Sequence, residues 1–195
     1  MEEVREKKQE IRNEVLSIVG GLEDKQRREI QQAIEARLFD FANFLEARIA
    51  LLYVNTDYQV RTMEIIKRSY DYNKIVVLPV FDTQKFEMTL FKVDNPDKDL
   101  IRGSRGILEP DLGRCKSVPI ECIDIAIIPG MAMDEKGGRL GSGEGYYDRL
   151  IPQLPITTRK VGLLHECQIV PVIPMESHDK HVDIIITEKR IIYKI

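Results

Sequence analysis

The sequence predicts an α/β fold, a single domain with a mostly parallel sheet flanked by helices. Short continuous apolar runs recur along the chain: IALLYV (Ile49 to Val54), KIVVLPVF (from Lys74), IDIAIIPG (Ile123 to Gly130) and KVGLLHE (from Lys160). Such runs mark strands buried on both faces. Stretches of helical period separate them, and strands alternating with helices imply parallel pairing. The chain has 195 residues, enough for about one domain that buries roughly 70% of its unfolded surface. The expected unit spans 1–195, with residues 1–48 forming a helical N-terminal segment packed on it.

Val4, Ile11, Val15 and Ile18 recur at multiples of a helical turn, and Gly20-Gly21 stops that helix. A second helix starts near Asp24, with Ile30, Ile34, Leu38, Phe41 and Leu45 on one stripe. After Arg48 the period changes to the first apolar run. A helix from Thr62 to about Tyr72 follows, then a strand ending near Pro79. EMTLFKV (Glu87 to Val93) alternates and predicts a less buried strand. The prolines and glycines between Asp94 and Glu121 predict a long loop. The third apolar run leads into a glycine-rich loop and a helix starting near Tyr146. KVGLLHE is a fourth strand, and VDIIIT with RIIYKI form a closing pair. Ligands of such sheets bind outside the carboxyl ends of the strands. That rule selects Asn55 to Gln59, the loop after Leu78, Pro129 to Asp148, and His165 to Gln168.

Composition narrows the classes of function. The net charge is −3, with 43% hydrophobic and 31% charged residues, which argues against disorder and against chain-wide attraction to nucleic acid or anionic lipid. No apolar run approaches the roughly 20 residues of a membrane span. The charged N-terminus lacks the apolar centre of a signal peptide. A cytoplasmic protein with no nucleic-acid or membrane partner is expected. Cys115, Cys122 and Cys167 form no C-x-x-C pair and read as free thiols.

The segment PGMAMDEKGGRLGSGEGYYDR, Pro129 to Arg149, carries the strongest chemical signal. Five of the twelve glycines lie between Gly137 and Gly145. Glycine lets a ligand approach the backbone closely. Successive N–H groups before a helix N-terminus suit phosphate. Arg139 adds a fixed cation, and Asp148 is placed to hold a metal that bridges phosphates. Without that company the loop reads as a flexible hairpin. It is neither a Walker loop, since no G-K-[ST] follows, nor a dinucleotide fingerprint, since it lies too late in the chain. The residues by themselves point to a phosphate-bearing ligand with Mg²⁺.

The same segment resembles the signature of the 5-formyltetrahydrofolate cyclo-ligase family. The resemblance extends to Lys8 and Arg12, T-x-E-I-I from Thr62, G-I-x-E-P at Gly106 to Pro110, Lys160 to Gln168, and H-D-x-x-V-D from His178 to Asp183. It implies a sugar-phosphate isomerase and CoA-transferase-like architecture. It also implies an ATP- and Mg²⁺-dependent ligase that turns 5-formyltetrahydrofolate into 5,10-methenyltetrahydrofolate through a phosphorylated formyl group, yielding ADP and phosphate. On this resemblance Arg12, Arg139 and Tyr147 are catalytic. Lys8, Arg12, Gly138, Arg139, Leu140, Gly141, Ser142, Gly143, Glu144, Gly145, Tyr146 and Tyr147 bind ATP. Val54, Gln59, Ser142 and Tyr146 bind the reduced folate, and Asp148 and Asp179 hold Mg²⁺. A monomer or weak homodimer is expected.

Lys8 and Arg12 lie four apart on one helix face, a spacing that most often marks only a solvated surface. One of Tyr146 and Tyr147 is expected in the core. Asp183 reads as a supporting or structural residue. His178 and His181 lack the further ligands zinc requires. His165 ends a strand at the active edge. Four positions depart from the family pattern: Gln59 for a glutamate, Met133 for phenylalanine, Ser142 for an aromatic or basic residue, and Glu144 for glycine or lysine. A glutamine offers one acceptor oxygen where a carboxylate accepts two donors from a pterin. The departures keep open an ATP-binding relative with another substrate or a regulatory role. An isomerase or transferase of similar architecture is a further alternative.

Overall fold

Each apolar run divides its side chains between two cores, as strands covered on both faces must. Ala50, Val76, Leu78, Ile125, Ile127, Val161, Leu163, Ile184 and Ile186 join one core with Ile34, Leu38 and Phe44 from the N-terminal helices. Leu51, Val77, Ala126, Ile128 and Ile185 face the other, with Leu150, Ile151 and Leu154. The structure, a computed structural model, describes residues 2–194. Of the expected span, Met1 and Ile195 lie outside the described residues.

Along the chain come helices α1 (Glu2–Gly20), α2 (Asp24–Phe39) and α3 (Ala42–Glu46), strand β1 (Ile49–Leu51) and helix α4 (Met63–Asp71). Strands β2 (Ile75–Asp82) and β3 (Glu87–Val93), helix α5 (Pro96–Asp99), and strands β4 (Leu100–Arg102), β5 (Leu108–Pro110) and β6 (Lys116–Ser117) follow. Next are β7 (Ile125–Ile128), β8 (Ala132–Met133), β9 (Arg139–Leu140) and α6 (Tyr146–Leu150). Strands β10 (Arg159–Leu163), β11 (Ile184–Ile186) and β12 (Ile191–Tyr193) complete the order. The main sheet runs β12-β11-β10-β7-β1-β2-β3-β6. Its five middle strands are parallel, and β3, β6 and β12 are antiparallel at the two sides. The expected α/β architecture is thus present. From β1 the chain pairs β2 on one side and β7 on the other, so the topological switch point opens beyond the carboxyl ends of β1 and β7.

Several local expectations are corrected. The helix expected through Leu45 breaks at Asp40; Phe44 is fully buried instead, while Leu45 is 44% exposed. On α1, Ile18 is 41% exposed and Val19 takes its place inside. Strand β1 stops at Leu51 rather than Val54; just beyond it the Leu52 N–H still bonds the Val77 carbonyl of β2 at 2.9 Å, before the chain turns off the sheet. Strand β2 passes through Pro79 without ending there. Proline is tolerated because β1 pairs only as far as Val77, and Pro79 pairs β3 alone, opposite Leu90. The expected loop from Asp94 to Glu121 contains α5, capped by the Asn95 side chain, and the β4–β5 hairpin. It then returns to the sheet edge as β6.

Helix α1 does not join either large core. Its Val15 and Val19 pack with Ala132 and Leu140 of the β8–β9 hairpin and with Ile173. Burying such a side chain stabilises by roughly 1.5–3 kcal/mol. That packing carries the polar face of α1 over the carboxyl edge of the sheet.

Candidate active site

A cleft of about 500 Å³ opens at the switch point. Its walls come from α1, the turn after β1, the Pro129–Met131 corner after β7, the glycine-rich segment from Arg139 to Asp148, and the loop around Asp179. Five cationic side chains (Arg5, Lys8, Arg12, Arg105, Arg139) and four carboxylates (Glu144, Asp148, Glu176, Asp179) line it.

The glycine-rich segment is stiffened before it reaches the cleft. Buried Asp134 accepts bonds from the backbone N–H groups of Lys136, Gly138 and Ile173 at 3.0, 2.9 and 2.8 Å. Gly138 serves this turn and does not line the cleft. Beyond β9, Gly143 and Gly145 take φ of +109° and +74°, values that other residues adopt only with strain. Gly145 immediately precedes α6, which brings Tyr146, Tyr147 and Asp148 to the cleft.

Charges on this side are tightly partnered. Arg139, 4% exposed, donates to Asp148 Oδ1 at 2.8 Å and to the Pro129 carbonyl at 3.1 Å, while its buried Nε has no protein acceptor. Asp148 Oδ1 also accepts the Lys180 N–H at 3.2 Å. Lys8, 6% exposed, donates to Asp179 at 2.5 Å and Glu176 at 2.9 Å. Burial disfavours its charge, but those two hydrogen bonds outweigh it and hold its pKa above the usual lysine value. Arg12 donates through Nε to the Gly141 carbonyl at 3.0 Å, and its guanidinium faces Gly143. Neither Arg12 nor Arg5 forms an ion pair among the described residues. Tyr147 has its phenol pKa pushed up by burial, so its hydroxyl is a donor rather than an anion. Tyr146 sits edge-on to Phe81, with ring centres 4.9 Å apart.

The opposite wall is neutral. After β1, Tyr53, Val54, Thr56, Tyr58 and Gln59 line the cleft. Gln59 Oε1 accepts the Thr56 N–H at 2.8 Å, and the Gln59 N–H returns to the Thr56 carbonyl at 3.1 Å. One of the two lone pairs on the Gln59 side-chain oxygen is therefore engaged within its own turn. Thr56 Oγ1 is buried without a partner among the described residues.

The structure brings Lys8, Arg12, Val54, Gln59, Asp179 and the whole of Arg139–Asp148 to one cleft. Asp148 and Asp179 both line it, and Asp179 belongs to a close group of possible ligands that Asp148 does not join. The group of side chains close enough to hold a metal ion is Glu176, His178 and Asp179, whose ligand atoms lie within 4.8 Å of one another. His181 is outside that group. Asp183 accepts the Lys160 N–H at 3.0 Å and ties β10 to the start of β11, a structural position. His165 is 6% exposed and faces a second, smaller cavity. The three cysteines are free thiols. Sequence reasoning missed Glu176, Arg5 and Arg105. Glu176 lies three residues before Asp179, and Arg5 one helical turn before Lys8, so both carried a signal in their spacing. Arg105 carried none, because the hairpin that delivers it reads as loop.

The fold and cleft define a doubly wound α/β protein with a charged, glycine-lined ligand site at its switch point. The 5-formyltetrahydrofolate cyclo-ligase family model matches residues 4–188. A 5-formyltetrahydrofolate cyclo-ligase of Haemophilus influenzae is 31% identical over 89% of this chain and 94% of its own. One from Escherichia coli K12 is 29% identical over 88% and 94%. The NMR structure of the Aquifex aeolicus 5,10-methenyltetrahydrofolate synthetase superposes with a TM-score of 0.84 at 29% identity, covering 96% of this chain and 92% of that one. The chain belongs to the 5-formyltetrahydrofolate cyclo-ligase family, a family of ligases. The resemblance read from the sequence is borne out for family, fold and enzyme class. Among the described residues no helix is long and apolar enough to cross a membrane.

Proposed function

We propose that the protein converts 5-formyltetrahydrofolate to 5,10-methenyltetrahydrofolate with ATP and Mg²⁺, releasing ADP and phosphate. The observation that carries this reading is the convergence of Lys8, Arg12, the glycine-rich segment and Asp179 with Val54 and Gln59 on one cleft. In this chemistry the formyl oxygen takes the terminal phosphoryl group, the neighbouring anilino nitrogen attacks the activated carbon, and the oxygen leaves with phosphate. Such a reaction needs positioning and charge neutralisation more than a protein nucleophile.

Among the described residues Arg12 has no carboxylate partner, and it stands against Gly141 and Gly143, so its guanidinium is available to the phosphoryl oxygens. Arg139 is fixed by Asp148 and Pro129, and its unpartnered Nε supports a further acceptor. Tyr147 remains protonated and offers a donor. The backbone from Leu140 to Gly145 lines the cleft beside Tyr146 and approaches the nucleotide closely because it carries three glycines. Ser142 and Tyr146, which line the same cleft, would contact both nucleotide and folate. The oxygen donors of Asp148, Asp179 and Glu176 suit Mg²⁺; when bound, the ion neutralises phosphate charge. Asp148 would accept it while still held by Arg139. Asp179 and Glu176 would hold it with carboxylates that the Lys8 ammonium now engages.

The turn bond between Gln59 and Thr56 favours a second reading, a relative that keeps ATP and takes another substrate. The near-ultraviolet absorbance of the methenyl product, followed with and without ATP and Mg²⁺, separates the two. ATP-dependent growth of that absorbance supports the cyclo-ligase. Nucleotide binding with no absorbance change supports the relative.

A further inference from the structure

Glu144 places a carboxylate in the middle of the segment that lines the cleft with glycine. Its neighbours Gly143 and Gly145 both face the cleft, and a bare negative charge there would oppose any anionic ligand. Arg105 answers that charge. It comes from the turn of the β4–β5 hairpin, far from the glycine segment in sequence, and its guanidinium pairs with Glu144 Oε2. The same guanidinium lies over the Phe81 ring at 4.4 Å and the Tyr146 ring at 5.0 Å. Arg105 therefore bridges strand β2, the first residue of α6 and the tip of the glycine segment, and it lines the cleft itself.

The hairpin is itself anchored. Glu109 of β5 is buried, and its carboxylate accepts the Phe81 N–H at 3.4 Å. Hairpin, Phe81 and Arg105 thus form one block, seated against Tyr146. A planar guanidinium suits this place because it stacks on two rings and pairs a carboxylate at once; an ammonium cannot do both.

We propose that Arg105 is a positioning and specificity-determining residue of the glycine segment, cancelling the Glu144 charge and pinning Tyr146 so that the cleft accepts a nucleoside triphosphate. The inference rests on the nucleotide reading above. It assigns a binding role to the segment from Asp94 to Glu121, whose sequence reads as plain loop. It also makes the Glu144 carboxylate tolerable in a glycine-lined cleft.

The test is calorimetric titration of the full chain with a non-hydrolysable ATP analogue and Mg²⁺, with melting temperature recorded for each variant. Arg105→Ala is expected to weaken binding roughly tenfold, the effect of one uncompensated charge at surface dielectric. In a Glu144→Gln background the same substitution should cost less than about threefold, because no charge is then left to repel the phosphates. Arg105→Lys should fall between Arg105→Ala and the unmodified protein. The charge swap Arg105→Glu with Glu144→Arg should recover most of the affinity, and it keeps the inference testable if Arg105→Ala folds poorly. Equal losses in both backgrounds, or no loss in either, overturn the charge-cancelling role. Failure of the unmodified protein to bind the analogue overturns the nucleotide reading instead, and this inference with it.

Discussion

The two walls of the cleft are built by opposite means. On the glycine side every carboxylate is matched by a cation: Asp148 by Arg139, Glu144 by Arg105, and Glu176 with Asp179 by Lys8. On the side of Val54 to Gln59 the turn is closed by neutral hydrogen bonds, Thr56 to Gln59 and Thr62 to Asn55. A paired and buried charge holds its partner in one place and is costly to break. A neutral turn costs little to alter, since only a modest bond is exchanged. The glycine wall is therefore expected to be intolerant of substitution and the turn wall to be tunable.

The sharpest way to break this contrast is Arg139→Ala. It leaves Asp148 without its guanidinium partner in a largely buried place and opens the Pro129 corner. A loss of about 3–5 kcal/mol is expected, together with loss of turnover. Denaturant unfolding measures the first and the product absorbance the second. Stability within about 1 kcal/mol of the unmodified protein would show the pair to be ornamental.

Lys8→Ala comes next. It leaves Glu176 and Asp179 facing one another without the ammonium between them. Stability should fall by about 1–3 kcal/mol and the KM for ATP should rise. Adding Glu176→Gln removes one of the two like charges and should restore part of the stability, a non-additivity expected only of groups in contact. Purely additive losses would place Lys8 outside the cluster in solution.

This contrast also explains what was legible in the sequence. Elements whose reason for existing is local could be read directly. The apolar runs of β7 and β10 declare strands buried on both faces, and the glycines of residues 137–145 declare a close backbone approach. The end of β1, the passage of β2 through Pro79 and the pairing of Arg105 depend on which strand or ring lies alongside. Nothing within a window of neighbours records that. The site divides in the same way. Lys8 and Arg12 were legible through the family resemblance, since their helical spacing alone reads as a solvated face, and Glu144 drew notice as a departure from the family pattern. Its partner was not legible, since thirty-nine residues and a hairpin separate the two.

Gln59→Glu should sharpen the contrast from the neutral side. A carboxylate keeps one oxygen for the Thr56 N–H and frees the second for a folate donor. Folate affinity is expected to rise about tenfold, the scale of one charge-assisted bond, while stability changes by less than about 0.5 kcal/mol. ATP affinity measured without folate should stay where it was. A fold lost on this substitution, or folate binding unmoved, would mean that the turn wall does not set the folate fit.

The smallest expected effect is at His165, behind the neutral wall. It is 6% exposed, and its Nδ1 has no partner among the described residues. Burial lowers its pKa below the usual 6.5, only partly offset by Glu188, while Arg27 adds to the lowering. The sign follows from proton linkage. Below pH 6.5 the unfolded chain takes up the proton more readily than the folded one, so stability is complete above that value and declines as pH falls through the folded pKa. A single proton bound only by the unfolded chain can tilt stability by at most about 1.4 kcal/mol per pH unit. His165→Gln removes this titration and keeps a polar side chain at the edge of the second cavity. Thermal melts of both proteins across the acidic side of neutrality should show the shallower slope in the variant, with the two curves converging in slope above pH 6.5. The cleft's ion pairs are untouched by the substitution, so nucleotide affinity should follow one pH profile in both proteins. Parallel melting curves throughout would show that the imidazole reaches water in solution, and that the wall beside Gln59 is more open than its hydrogen bonds imply.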